Sequence, residues 1–314
     1  MMARMVNRRY RCLAIGCIAC LAVGSGPTRL AAQKTTDARQ RVDRRFAVAS
    51  DASIRLFGAF AKLRIIGWDH DSLAITGTMA KGWRLEGNAA SNAFGAPRGA
   101  KFFIDAPTET DAPGAALEVR VPARARVWAK SGSADIEVTG VTGGLDLNIV
   151  GGSIAVSSTP RELNIESMDG NVKVLAGAPW MRIKTATGEI DVRGGGEDVG
   201  LSSVGGTVRV SGGRYERGKF ETVTGDIVYE ADIGFKGSLD LTTHSGRIEL
   251  RVPARPDLEL DATTVTGTIE NSVTSRRPLA GREGRGMELA FSSGTGDTRV
   301  VVRSFKGSVV VRPR

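Results

Sequence analysis

The stretch TATGEIDV, residues 185–192, holds the pattern that decides the fold of this 314-residue chain. One glycine closes a short polar run, and the aliphatic Ile190 and Val192 then alternate with the acids Glu189 and Asp191. A period of two is typical of a strand with one buried face, so the aliphatic residues are predicted to face inward. The two acids are then either a pair that performs chemistry or the solvent side of one unit in a repeated scaffold.

Other stretches of the chain follow the same pattern and form an internal repeat. Aligned on the glycine, the anchor positions are Ala134, Gly152, Gly170, Gly188, Gly206, Gly225, Gly246, Gly267 and Gly296. Successive anchors lie 18 residues apart four times, then 19, 21, 21 and 29 residues apart. Another apolar pair usually stands five and seven residues before the anchor, as Met181 and Ile183 do before Gly188. Each unit therefore predicts two short strands joined by a bend, where glycine tolerates backbone angles that other residues avoid.

The repeat predicts an all-β fold and leaves two architectures open. In a single-stranded β-helix, or β-solenoid, each unit of 18 to 21 residues is one coil, and equivalent residues stack about 4.8 Å apart. In an antiparallel meander or sandwich, each glycine would instead lie in a hairpin turn. The near-constant unit favours the solenoid, because stacked coils need equal circumference, whereas hairpins tolerate varied lengths.

The rest of the chain is divided by composition. Alternation is weaker before the repeat, and a stretch rich in Gly, Ala, Pro and Asn from about residue 80 to residue 115 is predicted to be a long loop. The predicted segments are a signal peptide (1–32), a polar leader (33–43), irregular β coils or a cap with the long loop (44–115), and the solenoid repeats (116–314) with an arginine-rich insertion (275–286).

The first 32 residues have the layout of a secretory signal peptide, with arginines, an apolar run from Cys12 to Gly24 and small residues ending at Ala32. The run is shorter than the roughly 20 residues that span a bilayer as a helix, so an integral membrane protein is not predicted. Cleavage near Ala32 removes every cysteine, including Cys17 and Cys20. In a second interpretation, Cys20 is the lipid-modified cysteine of a bacterial lipoprotein. The chain is predicted to be exported to the periplasm, the outer-membrane surface or the medium.

Charge and composition restrict the partners. The formal net charge is +9, and five arginines of the predicted signal peptide account for five of these charges, which leaves +4. A nucleic-acid-binding protein would show a basic stripe, so nucleic acid is not expected as a partner. Aromatic residues make up only 5% of the chain, so a core of small and β-branched side chains is predicted.

Three features together resemble a bacterial family known only as putative adhesins, which are exported β-strand-repeat proteins of unknown function. They are IIGWDHDSLAITG near the start, LEVRVPARARVWAKSGSADIEVTGVTGGLDL at the entry to the repeat, and the series of units that begin with Ser or Thr three residues before the glycine. The likeness covers residues 46–312. It implies a right-handed β-helix-like fold and an envelope or extracellular role, and the family has no catalytic residues to transfer.

No catalytic, cofactor-binding or metal-binding residue is predicted. The outward positions after each glycine mix acids, bases and neutral residues, so Glu189 and Asp191 read as a solvated face rather than a catalytic pair. The two histidines, His70 and His244, lie far apart and outside any H-E-x-x-H motif. His244 precedes Ser245, but adjacency in sequence is not the geometry of a base and its nucleophile.

Two groups of residues are candidates for partner binding. The arginines of the 275–286 insertion suit phosphates, anionic polymers or an acidic protein surface, or else belong to a solubilising loop. Exposed aromatic residues in or beside the long loop suit a sugar or a protein partner, or else pack over the end of the repeat. The candidates are Arg276, Arg277, Arg282 and Arg285 in the first group and Trp83 and Phe94 in the second.

The sequence thus predicts an exported, non-enzymatic binding or structural protein of the cell envelope. Its expected partners are envelope polysaccharide, anionic lipid headgroups or another envelope protein. Two alternatives belong to other classes. The chain is either a carbohydrate-active β-helix enzyme that acts on an acidic polysaccharide, with carboxylates contributed by separate coils, or a scaffold or sensor of an envelope-stress system.

Overall fold

The computed structural model describes residues 39–90, 96–107, 114–281 and 284–314, and no α-helix occurs among them. The regular structure consists of β-strands, so the predicted all-β class is confirmed. A helix long and apolar enough to cross a membrane is accordingly not found in the described part of the chain. The predicted signal peptide, with Cys20, lies outside the described residues.

All strands belong to one unit of the chain, Ala38–Arg314. Before the repeat they are β1 (Arg39–Ala47), β2 (Ser53–Gly58), β3 (Phe60–Trp68), β4 (Ser72–Ala80), β5 (Arg84–Ala89), β6 (Gly99–Asp105) and β7 (Ala115–Pro122). The repeat holds β8 (Arg126–Thr139), β9 (Gly144–Ser157), β10 (Glu162–Ser167), β11 (Asn171–Val174), β12 (Trp180–Thr185), β13 (Ile190–Arg193), β14 (Gly196–Ser203), β15 (Val208–Thr222), β16 (Ile227–Thr243), β17 (Ile248–Val252), β18 (Leu258–Thr264) and β19 (Ile269–Asn271). The last are β20 (Leu279–Ala280), β21 (Met287–Ser293), β22 (Arg299–Ser304) and β23 (Val309–Pro313).

Equivalent strands of the repeat pair with one another in parallel, in two ladders. The first ladder follows the strands before each turn, and Leu163 of β10 pairs with Leu145 of β9 and Met181 of β12. The second ladder follows the strands after each turn, and Val172 of β11 pairs with Ile190 of β13. A meander would pair the strands on either side of a turn in antiparallel fashion, so the alternative of an antiparallel meander is wrong for the repeat.

Seven of these parallel strands close into a barrel by hydrogen bonding. Its order is β9, β10, β12, β14, β15, β13, β11 and back to β9. The ring closes because β9 and β15 are each long enough to take part in both ladders. The other strands lie outside this barrel and extend the ladders at both ends.

The residue three positions before the glycine shapes the turn between the ladders. Its hydroxyl is buried and accepts a hydrogen bond from the glycine N–H in some units, at 2.8 Å between Ser203 and Gly206, whereas the Thr185 hydroxyl donates to the carbonyl of Gly188 at 2.7 Å. The glycine is needed for close approach, because a Cβ atom on Gly188 would lie 2.7 Å from the carbonyl carbon of Gly170 and nearer still to its oxygen. The predicted unusual backbone angles are not the reason, since neither of these glycines has a positive φ.

At the C-terminal end of the ladders, the strands no longer stack in the order in which they occur in the chain. Strand β22 pairs in parallel with both β16 and β18, and β23 pairs with both β17 and β19. The last unit is thereby inserted between two earlier ones, and its turn glycine is Gly307, whose N–H donates to Ser304. The assignment of Gly296 as a repeat anchor is therefore wrong. Gly296 has a φ of 73° in the connection between β21 and β22, and β21 pairs antiparallel with β18 at the edge.

The N-terminal end repeats this arrangement. Strands β2 and β3 lie between β8 on one side and β6 and β7 on the other, all in parallel. Antiparallel strands β4 and β5 cover the outer side, and β1 pairs with β4. At this end the structure differs from two predictions made from the sequence. Part of the supposed leader, from Arg39, is strand β1, and the supposed long loop contains β5 and β6 because its apolar residues alternate there.

The interior is filled by the predicted aliphatic pairs, with Ile190, Val192, Met181 and Ile183 all at zero exposure. One aromatic cluster interrupts them, in which the ring of Phe220 lies 6.0 Å from Tyr215 and 5.8 Å from Tyr229. Gly218 makes room for it, because a Cβ atom there would lie 3.0 Å from the Phe220 ring.

Candidate functional site

Aromatic side chains are exposed on the outer face of the first ladder. Trp128 of β8 and Trp180 of β12 are 38% and 40% exposed, although the residues before and after Trp128 are buried. Alternation along each strand places them on the outer face, because Val127, Ala129 and Met181 fill the interior. A contiguous patch of such rings, rather than a single exposed ring, marks an interaction site.

A groove of about 390 Å³ lies between the two tryptophans. Gly144 lies in its floor and brings no side chain, and Asp146 and Asn164 stand in register beside Trp128. The strands β8 and β12 are three strand spacings apart, which separates the rings by about 14 Å along the ladder. The groove is long enough for an extended ligand that contacts both rings.

The polar lining of the groove is held by its own hydrogen bonds. The carboxylate of Asp146 accepts from Asn148 Nδ2 at 2.5 Å and from Asn164 Nδ2 at 3.4 Å. Arg126 arches over Gly144 and donates to Glu162 Oε2 at 3.1 Å. Donors and acceptors therefore alternate across the groove in fixed positions, which suits a ligand that carries many hydroxyl groups.

Arginines lie against both tryptophan rings. The guanidinium carbon of Arg55 is 5.3 Å from the ring centre of Trp128, and that of Arg182 is 4.8 Å from Trp180. Such cation–π contacts fix the orientation of an exposed ring. The rings are thus prepared in place, so a ligand does not have to order them on binding.

The aromatic surface continues beyond Trp128 toward the N-terminal end of the ladder. Phe57 and Phe103 are stacked at 5.5 Å, and Phe57 lies 6.3 Å from Trp128. Lys101 sits over both phenylalanine rings. We call the surface formed by Phe103, Phe57, Trp128, the groove and Trp180 the aromatic face.

The groove also contains the carboxylates of Asp146 and Glu162, which is the pair an enzyme would need. Both are already engaged, Asp146 by two amides and Glu162 by Arg126. Within the described ranges, no group of three or more histidine, cysteine, aspartate or glutamate side chains is placed to hold a metal ion. The arrangement can bind hydroxyl groups through both acids.

The residues proposed from the sequence lie elsewhere. Arg276, Arg277 and Arg285 are exposed around the short strand β20, and Arg276 uses its carbonyl to accept from Asn271 Nδ2 at 2.9 Å. Trp83 is only 3% exposed, so its ring packs inside the N-terminal end and offers no surface for stacking. Arg282 and Phe94 lie outside the described residues. The arginines and Trp83 belong to opposite ends of the ladders and do not form one site.

Sequence reasoning missed Trp128 and Trp180, although a signal was present. The outward positions that follow each anchor contain neither tryptophan, because Trp128 precedes Ala134 and Trp180 precedes Gly188. The same alternation applied to the strands before the glycine places Trp128, Asp146, Asn164 and Arg182 in one outward row. That row would have brought Trp128 and the polar lining together.

Comparisons with known proteins return distant structures only. No protein-family model and no curated protein matches the chain. A crystal structure of a putative adhesin from Bacteroides fragilis is 11% identical, covering 88% of this chain and 97% of that one, with a TM-score of 0.39. A putative cell adhesion protein from Clostridium sporogenes is 7% identical, covering 88% and 99%, with a TM-score of 0.24. At these scores neither structure informs the function of this chain.

Proposed function

We propose that this chain is an exported, non-enzymatic binding protein of the adhesin kind, and that it holds a polysaccharide of the cell envelope or surroundings on its aromatic face. We further propose that its two ladders are the sides of a β-solenoid, and the resemblance to the putative adhesins implies that it is right-handed. The observation that carries the proposal is the groove between Trp128 and Trp180.

The chemistry of a sugar matches this groove. A pyranose ring has an apolar C–H face, which packs on an aromatic ring, and a rim of hydroxyl groups that donate and accept hydrogen bonds. The two tryptophans supply the stacking surfaces, while Asp146, Asn164 and the Arg126–Glu162 pair supply polar partners between them. A ligand that spans both rings must be a chain of sugars, because the rings are separated by about 14 Å along the ladder and also lie in different outward rows.

An enzyme is the second candidate, favoured by the presence of Asp146 and Glu162 in one groove. Glycosidases use two carboxylates that flank the scissile bond, one of them as an acid and the other as a base or nucleophile. We favour binding because each carboxylate is occupied by neighbouring donors. Hydrolysis of a bound polysaccharide, measured as new reducing ends and abolished in Glu162→Gln, would replace our proposal with this one.

The experiment is a binding screen of the mature chain against envelope and extracellular polysaccharides by affinity electrophoresis, followed by calorimetry on the best ligand. Trp128→Ala and Trp180→Ala should each weaken binding about tenfold, since an aromatic contact contributes about 1–2 kcal/mol. The matched control is Phe235→Ala, which removes a ring that is 71% exposed and outside the groove. Equal affinity of the double tryptophan variant and the unaltered chain would contradict the proposal, as would a screen without any bound polysaccharide.

A further inference from the structure

A second groove continues the aromatic face beyond Trp180. Its volume is about 350 Å³, and it crosses strands β12, β14, β15, β16 and β22 of the first ladder. In register, Trp180 is followed by Asp198, Arg217, Ser238 and Arg299. The two grooves therefore lie end to end on one surface, with Trp180 at their boundary.

Arg182 joins the two grooves. Its guanidinium packs on Trp180 at 4.8 Å and donates to the Asp198 side chain at 2.6 Å and to the Asp198 carbonyl at 2.9 Å. The arginine crosses Gly200, where a Cβ atom would lie 2.9 Å from its Cδ atom. This arrangement keeps Arg182 against the sheet, so a ligand chain that leaves Trp180 passes directly into the second groove.

The second groove carries more positive than negative charge. Four cations line it, Arg182, Arg217, Lys219 and Arg299, against two acids, Asp198 and Asp240. Asp198 is shared by Arg182 and Arg217, and Asp240 lies 3.8 Å from Arg303 outside the groove. Both acids therefore have cationic neighbours, and the cations of the groove outnumber its acids by two.

Arg299 is the cation most available to a ligand. In the described part of the chain, no carboxylate oxygen lies within 4.0 Å of a guanidinium nitrogen of Arg299, which is the distance limit of an ion pair. The carboxylate of Glu259, its register neighbour, does not reach it. Among the described residues, Lys219 forms an exposed ion pair with Glu221 at 2.8 Å, and Asp240, its register neighbour, adds a weaker attraction. An exposed pair of this kind is weak and exchanges readily for another anion.

We propose that the ligand of the aromatic face is an acidic polysaccharide, and that its carboxylate or sulfate groups bind in the second groove against Arg217, Lys219 and Arg299. This inference rests on the proposed function, because it places the acidic groups on the same chain that stacks on Trp128 and Trp180. Guanidinium and ammonium groups bind such anions through charge-assisted hydrogen bonds. Lys219 lies about 10 Å from Trp180 along the ladder, and Arg299 about 19 Å, so the contacts fall on successive parts of an extended chain.

The test compares ligands that differ only in charge. Oligogalacturonate, its methyl ester, dextran and dextran sulfate are titrated into the mature chain by calorimetry. We expect the unaltered protein to bind at least one acidic ligand about tenfold more tightly than its neutral counterpart. The preference should shrink as sodium chloride rises from about 0.05 to 0.5 M, because salt screens exposed charges. Which pair shows the preference distinguishes carboxylate from sulfate.

The variant Lys219→Gln/Arg299→Gln should lose that preference and keep its affinity for the neutral ligand within about twofold. The control Lys184→Gln/Arg209→Gln removes the same number of charges outside the second groove and should keep the preference. Equal binding of charged and neutral ligands by the unaltered protein would overturn this inference and leave the proposed function standing. Equal loss in the control variant would also overturn it, because attraction by net charge would then explain the preference. If none of the four ligands binds, the assignment of an acidic ligand is overturned. The proposed function is then decided separately by the screen against envelope and extracellular polysaccharides.

Discussion

Gly188 gives the most direct test of how the ladders are held together. A Cβ atom at this position would lie 2.7 Å from the carbonyl carbon of Gly170 on the neighbouring turn, whereas ordinary contact begins at 3.4 Å. Gly188→Ala therefore forces the two turns apart by at least about 0.7 Å, since the new Cβ atom is held rigidly at its own Cα and the atoms that it meets belong to the backbone. Gly132→Ala is the matched control, because a Cβ atom at Gly132 meets nothing within 4 Å.

The cost follows from the hydrogen bonds that cross between these turns. The N–H groups of Ala186 and Thr187 donate to Met168 O at 2.9 Å, and that of Glu189 donates to Asn171 Oδ1 at 2.9 Å. A shift of 0.7 Å stretches each to about 3.6 Å, beyond hydrogen-bond distance. Three lost bonds at about 1 kcal/mol each lower the free energy of unfolding by about 3 kcal/mol.

The assay is thermal and urea unfolding followed by circular dichroism. Gly188→Ala should lower Tm by about 6 to 12 °C, whereas Gly132→Ala should leave it unchanged or raise it slightly by restricting the unfolded chain. Equal Tm values for the two variants would refute the reasoning, because the glycine would then not be required for the close approach of successive turns.

Two further experiments test the assignment of inner and outer sides in the repeat and the contribution of one ion-pair cluster. Ile190→Asp should unfold the protein or lower its stability by about 4 kcal/mol or more, because it places a carboxylate in a fully buried aliphatic position, whereas the exposed Glu189→Gln should leave urea unfolding nearly unchanged. Equal stability of these two variants would contradict the inward assignment of Ile190. Burial raises the pKa of the Glu249 carboxyl, but the guanidinium groups of Arg251, Arg312 and Arg247 together lower it by more than burial raises it. The pKa of Glu249 is therefore depressed. Stability from this group is present above its unfolded pKa of about 4.3 and is lost as the pH falls through the depressed folded pKa, so Glu249→Gln should be less stable than the unaltered protein at pH 7, and the difference should shrink as the pH falls toward about 3. A constant difference in urea midpoint between these pH values would show that the charge of Glu249 is not the cause.

The inward residues of the repeat were predictable because two regularities act together. Alternation assigns each aliphatic residue to a side of its strand, and the 18-residue spacing stacks that side on the next unit. A residue such as Ile190 therefore has the same surroundings as Val172 before it and Val208 after it. Local pattern and distant pairing agree there, which is why the sequence predicts the core.

The ends of the ladders were not predictable in the same way. The segment around Gly296, which has Thr298 at the first aliphatic position, still resembles the short repeat pattern that the segment around Gly307 matches in full. What separates them is the register of β22, whose Arg299 pairs with Ser238 and Glu259, 61 and 40 residues earlier in the chain. Since any parallel strand of the right length fits the same ladder, the order of insertion is decided by which edges remain unpaired.

The aromatic face shows how a repeated backbone can set the geometry of a site while the side chains set its chemistry. Trp128 and Trp180 occupy different outward rows, and their separation along the ladder is fixed by three strand spacings rather than by a flexible loop. Asp146 and Asn164 are held between them by the same register. Such a surface recognises a regular polymer, because both protein and ligand present their contacts at fixed intervals. Substitutions at outward positions can therefore change the ligand without disturbing the buried pairs that build the ladders.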